Sequence, residues 1–154
     1  PTISNTTWNA AVIMSGSTGY RLPTEAQWEY AAKGGNPAAT GWVGYTYAGS
    51  DTAGDVAWYS GNSSSMTHEV GKKLPNGLGI YDMSGNVYEW CWDWYWYYYP
   101  SEPQTDPAVE NPLNTRVVRG GGWYYGAYDT RTVERGELQP FWGDEDLGLR
   151  LVRP

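Results

Sequence analysis

The stretch VYEWCWDWYWYYYP, residues 87–100, constrains this chain more than any other. Trp90, Trp92, Trp94 and Trp96 alternate with Cys91, Asp93, Tyr95 and Tyr97. A period of two puts successive side chains on opposite faces, so the run predicts a β-strand and excludes an amphipathic helix. With its tryptophans on one face, the strand is expected to be central and to line the core. The aromatic content is lopsided, with ten Trp and fourteen Tyr against one Phe. Such rings combine an apolar body with a polar tip and suit half-exposed walls.

Elsewhere the signals are local. In RLPTEAQWEYAAKGG, Thr24 and Gln27 form a capping box after Pro23, and Gly34 and Gly35 end the predicted helix. A shorter helix is expected over Trp8 to Met14, capped by Asn5, Thr6 or Thr7. Residues 36–79 read as ordered loop anchored by Trp42, Tyr45, Tyr47, Trp58 and Tyr59. Arg116 to Arg119 and Leu147 to Val152 read as short strands around a segment with few apolar anchors. At 154 residues without an internal repeat, residues 1–154 are read as one domain. A net charge of −7 argues against nucleic acid, and no apolar run reaches the length of a membrane span. The one cysteine, Cys91, excludes an internal disulfide, and His68 in its polar loop reads as a surface or structural residue.

Four motifs in order, GYRLPTEAQWEYAAKGG, LPNGLGIYDMSGNVYEWCWDWY, RVVRGGGW and LGLRLVRP, resemble the formylglycine-generating-enzyme (sulfatase-modifying factor) family from Gly19 onward. The resemblance implies an α+β, C-type-lectin-like fold: a small antiparallel sheet, two helices and abundant irregular loop. Enzymatic members use paired cysteines after the RGGSW-like strand to hold copper, because oxygen chemistry there needs soft sulfur ligands. Here Tyr124 to Leu147 contains no cysteine, which argues against that catalysis. The family also implies a structural calcium ion held by Asp82 and Glu89 and by the carbonyls of Gly85 and Val87. The alternative is a turn in which Glu89 pairs with an arginine or with backbone amides. No other cofactor is expected.

RGGGW and LGLRL further resemble the strands that flank the diversified segment of retroelement-encoded variable proteins. That resemblance implies a variable ligand-binding segment, 123–147, displayed at the cell surface or outside the cell. Its template carries asparagine codons altered at adenines. Tyr124, Tyr125, Gly126, Tyr128, Asp129, Gly136, Phe141, Gly143, Asp144 and Asp146 are all reachable outcomes, whereas Trp142, Glu137 and Glu145 are template-encoded. The expected binding face comprises the ten reachable residues and Trp142. Tyr orders on binding at low entropic cost, Gly admits close approach, and Asp accepts charge-assisted hydrogen bonds. The expected partner is a variable, macromolecular ligand. Two alternatives stand beside this one. One is an enzyme of the same family with changed chemistry around Arg131, Glu134, Arg135, Asp144 and Asp146; the other is a structural adaptor in a larger surface protein. Tyr97, Tyr98 and Tyr99 either rim the same face or pack structurally.

Overall fold

The computed structural model describes residues 16, 18–36 and 44–153. The helix expected over Trp8 to Met14 and the anchor Trp42 lie outside them. Helix α1, Glu25–Ala32, starts where its capping box predicts. The Thr24 hydroxyl accepts the Gln27 amide at 3.2 Å, and the Gln27 side chain accepts the Thr24 amide at 3.1 Å. Two donors that the helix cannot satisfy internally are thereby paired. The loop over the described residues 44–79 holds a short helix, α2 (Ala53–Val56), and strand β1 (Ala57–Trp58). Strand β2, Ser84–Gly85, pairs with β1 in parallel. Within this loop His68 is structural: its ring stacks on Trp58 at 3.8 Å and its Nε2 lies 2.7 Å from the Ser63 carbonyl oxygen.

The main sheet is built from β3 (Tyr88–Trp94), β4 (Arg116–Arg119), β5 (Gly136–Leu138) and β6 (Leu147–Gly148), in the order β5–β4–β3–β6. It is antiparallel except where β6 runs parallel to β3. β3 is central, as expected, but it ends at Trp94, and its most buried face is not the tryptophan face. Glu89, Cys91 and Asp93 point into the core, while Trp90 and Trp92 are half-buried on the other side. The cause lies in α1. The Trp28 indole N–H donates to Glu89 at 2.7 Å, and the Glu25 amide at the helix start donates to Asp93 at 2.7 Å. Those donors make burial of two carboxylates tolerable, since buried charge needs hydrogen-bonded partners. Trp28, Ala32, Ala48, Met83, Cys91 and Val117 fill the core between them.

Pairing between β3 and β4 is irregular between Trp90 and Trp94. Arg116 spans the irregularity, donating to the Trp92 carbonyl with its guanidinium 4.2 Å from the Trp94 ring. The predicted last strand is shorter than expected. After Leu147–Gly148 the chain leaves the sheet as Arg150 turns onto Glu89, and only Val152 pairs again, with Arg21.

Arg119 has no solvent-exposed surface. Its guanidinium meets Glu25 at 3.2 Å and Glu29 at 2.6 Å, and donates to the Thr132 carbonyl at 2.8 Å. Arg135 binds Glu25 from the other side, at 2.6 and 2.7 Å. Removing the central cation would leave a buried void beside Glu25, strip half-buried Glu29 of every cation but Lys33 at 2.5 Å, and leave the Thr132 carbonyl without this donor. Arg119→Ala should therefore cost about 3–5 kcal/mol in urea unfolding, the range for a broken buried pair. A loss below about 1 kcal/mol would mean that Arg135 and Lys33 suffice for both glutamates.

Candidate ligand-binding face

The segment after β4 begins with three glycines for a steric reason. Gly121 has φ +71°, and a Cβ there would lie 2.7 Å from the Asp129 carbonyl oxygen. The chain then turns back through a 3-10 helix, Ala127–Thr130. Its main chain is held by residues distant in sequence. The Trp123 amide donates to the Asn86 carbonyl at 2.8 Å, and the Ser63 hydroxyl donates to the Trp123 carbonyl at 2.9 Å. The Ser60 amide donates to the Tyr125 carbonyl at 2.9 Å, and the Thr132 amide to the Thr46 carbonyl at 3.0 Å. At the far end the Tyr88 amide donates to the Asp146 carbonyl at 2.8 Å. Trp123, Thr130 and Thr132 are buried.

The side chains expected to bind point the other way. Tyr124 is 69%, Tyr128 63%, Trp142 53%, Phe141 42% and Tyr125 39% exposed. Tyr125, Gly136, Trp142, Asp144 and Asp146 meet around a cleft of about 130 Å³ with Tyr88 in its wall. Tyr124 stands edge-on to Tyr125 at 5.8 Å, and Tyr125 edge-on to Tyr88 at 5.1 Å. Gly126, Tyr128 and Asp129 lie in or beside the 3-10 turn, outside this cleft, with Arg131 3.6 Å from the Tyr128 ring and paired to Glu134 at 2.6 Å. Phe141 and Gly143 are exposed without lining it. Sequence reasoning missed Tyr88, although its spacing of two from Trp90 places it on the half-buried face of β3.

Room for variation differs between the glycines. A Cβ at Gly143 meets nothing within 4 Å, and one at Gly126 comes no nearer than 3.6 Å to Asp129. A Cβ at Gly136 would sit 2.8 Å from the Val118 side chain and 3.3 Å from the Tyr88 ring. Gly136 therefore serves the scaffold, since β5 lies flat on its neighbours only without a side chain there. Burial, then the neighbouring Asp144, pushes the Asp146 carboxyl up from its usual range. Burial, then Asp146 and Asp144, pushes the Tyr125 phenol up as well. The phenol thus stays protonated and able to donate.

The turn expected to hold calcium gathers its four residues around another cleft, of about 380 Å³, but Arg150 stands there too. Arg150 binds both Glu89 oxygens, at 2.6 and 2.8 Å, and reaches the carbonyls of Tyr81 at 3.2 Å and Asp82 at 3.3 Å. Trp28 supplies a third donor to Glu89, and the Asp82 carboxylate accepts the Gly71 amide at 2.7 Å. Held this way the oxygens fit a guanidinium, not a divalent cation, because the Glu89 charge is already neutralised. Cys91 is buried in β3, and burial pushes its thiol well above the usual range. Among the described residues no group of three or more His, Cys, Asp or Glu side chains is placed to hold a metal ion, and no helix is long and apolar enough to cross a membrane. Chelator or added calcium should leave the melting temperature unchanged, whereas Arg150→Ala should cost on the order of 2 kcal/mol as a partly exposed pair. A rise in melting temperature with calcium would reverse this reading of the turn.

Residues 3–154 match the model of the sulfatase-modifying factor enzyme 1-like domain. The chain is 39% identical to the chaperone protein LppX of Paenibacillus barcinonensis, over 97% of this chain and 54% of that one. It is 33% identical to the formylglycine-generating enzyme of Streptomyces coelicolor, over 97% and 52%. Among solved structures, Treponema denticola variable protein 1 superposes with a TM-score of 0.86 at 42% identity, over 97% of this chain and 53% of that one. The chain thus spans about half the length of these relatives. Its four motifs, its small sheet packed against α1 and these likenesses agree: the chain belongs to the formylglycine-generating-enzyme (sulfatase-modifying factor) family and has its C-type-lectin-like fold.

Proposed function

We propose that this chain is a non-enzymatic binding module, displayed outside the cell, whose segment 123–147 recognises a macromolecular ligand and is diversified by a retroelement. One observation carries the reading. The rings of Tyr124, Tyr125, Tyr128, Phe141 and Trp142 are exposed on a segment whose main chain is anchored by Thr46, Ser60, Ser63 and Asn86. Exposed Tyr and Trp on a fixed backbone have the character of interface hot spots. Likeness to a protein named as variable supports diversification. The lone, buried Cys91 offers no thiolate pair, which supports a non-catalytic role. Arg131 and Arg135 are each engaged by a glutamate, which weakens the alternative of changed chemistry at those residues.

Replacing Tyr124, Tyr125 and Tyr128 together by serine should lower the melting temperature by no more than about 2–4 °C, the shift for roughly 1 kcal/mol in a domain of this size. The same variant should lose the ligand that the parent protein captures from an array of purified secreted and cell-surface proteins. Unfolding of the variant, or unchanged capture, would overturn the assignment of this face. Diversification has its own test. The source genome should hold an adenine-richer near-copy of codons 123–150 beside a reverse transcriptase gene, and a genome without one removes that part of the proposal.

A further inference from the structure

The aromatic run does not end with the sheet. After β3 the chain carries Trp96, Tyr98 and Tyr99 to the side of α1, where with Tyr30 they line a cleft of about 750 Å³. These four rings are 52–71% exposed. None of Tyr124, Tyr125, Tyr128, Phe141 or Trp142 borders this cleft. Its volume lies within the roughly 300–1,000 Å³ of small-ligand sites.

The Tyr99 ring and the Trp96 backbone are held in place. The Tyr99 hydroxyl donates to Glu25 at 3.0 Å, and the Arg135 guanidinium covers one side of the Tyr99 ring at 4.4 Å. Arg135 also donates to the Trp96 carbonyl at 3.0 Å, fixing the backbone between the two rings. A ligand would therefore spend little binding energy on ordering this part of the wall.

The cleft's charges are matched internally. Glu25 is bound by Arg119 and Arg135, and Glu29 by Arg119 at 2.6 Å and Lys33 at 2.5 Å. Asp93 accepts the amides of Glu25 and Val109. A charged ligand would find no unmatched counter-charge among them. The side chains of Glu29 and Lys33 nevertheless stay 27% and 31% exposed, leaving acceptors and donors in reach of a neutral polar ligand. Exposed Tyr and Trp faces add flat apolar surface. Flat apolar faces beside fixed donors and acceptors suit a molecule with apolar C–H faces and hydroxyl edges. Aromatic grooves also take proline-rich peptide. Here the chain's own Pro100 and Pro107 already occupy the wall, and such a peptide makes no use of the ion-pair floor.

We propose that the cleft lined by Tyr30, Trp96, Tyr98 and Tyr99 is a second binding site, specific for a neutral oligosaccharide. The whole chain, titrated with maltotetraose, cellotetraose and chitotetraose in turn, should give a saturable tryptophan-fluorescence change and a matching calorimetric isotherm with at least one. Trp96→Ala and Tyr98→Ala should each weaken that binding by roughly tenfold or more. Tyr98→Phe, which keeps the ring, should retain it, and so should the serine triple variant at 124, 125 and 128. Both alanine positions are exposed, so their melting curves should match the parent's. The proposal is overturned by no saturable response to any of the three sugars, by binding that survives both alanine variants, or by decaproline binding in the sugars' place. Loss of sugar binding in the triple variant would also overturn it, by moving the site to the other face.

Discussion

The guanidinium of Arg119 is the constraint around which the molecule is arranged. It comes from β4, reaches Glu25 and Glu29 on α1, and holds the Thr132 carbonyl of the segment that returns to the sheet. A cation removed from water needs acceptors around it, and those that meet its two terminal nitrogens bring helix, sheet and recognition segment to one point. Glu25, so fixed, then engages Arg135 and Tyr99, which extends the same network to the second cleft. Neighbouring carboxylates are served in similar fashion: Glu89 by Trp28 and Arg150, Asp93 by two backbone amides. Among the described residues, Glu25, Glu89, Asp93, Arg116 and Arg119 are therefore buried inside the fold.

Holding and display are divided between main chain and side chain. The segment from Trp123 to Thr132 is tied through amides and carbonyls, and its partners are Asn86, Ser63, Ser60 and Thr46. The rings of Tyr124, Tyr125 and Tyr128 take no part in those ties and face solvent. Surface loops on a rigid scaffold commonly carry recognition, and here the division runs residue by residue. Trp123 and Thr130 are buried within the same few residues as exposed Tyr124 and Tyr128.

What could be read from the sequence was what local chemistry decides. The capping box placed the start of α1 to the residue, and the β-rich RVVR run placed β4, because both depend on near neighbours. Period two found β3 but not which face is inside. Charge patterning sends Glu89 and Asp93 outward, and the donors that turn them inward come from elsewhere in the chain: α1, more than 60 residues away, with Val109 and Arg150. Of the two readings left open for the turn at Asp82, the pairing of Glu89 with an arginine depends on a similar long-range contact, since Arg150 meets Glu89 across 61 residues. Codon arithmetic grouped Gly136 with the free positions, yet contact with Val118 and Tyr88 sets it apart. The exposed rings of 124, 125 and 128 were where the flanking motifs put them.

The spacing of the ties has a consequence for how this stretch can evolve. Gly121 backs directly onto the Asp129 carbonyl, and the 3-10 turn between them closes a loop of set size. Exchanging an exposed side chain such as that of Tyr124, Tyr125 or Tyr128 leaves that closure intact. Adding or dropping a residue would slide the Tyr125 carbonyl away from the Ser60 amide and the Thr132 amide away from Thr46. Lineages of this chain should thus keep the length of residues 121–132 and differ by replacement at exposed positions such as Tyr124, Tyr125 and Tyr128, with insertions confined to the open stretch around Gly143.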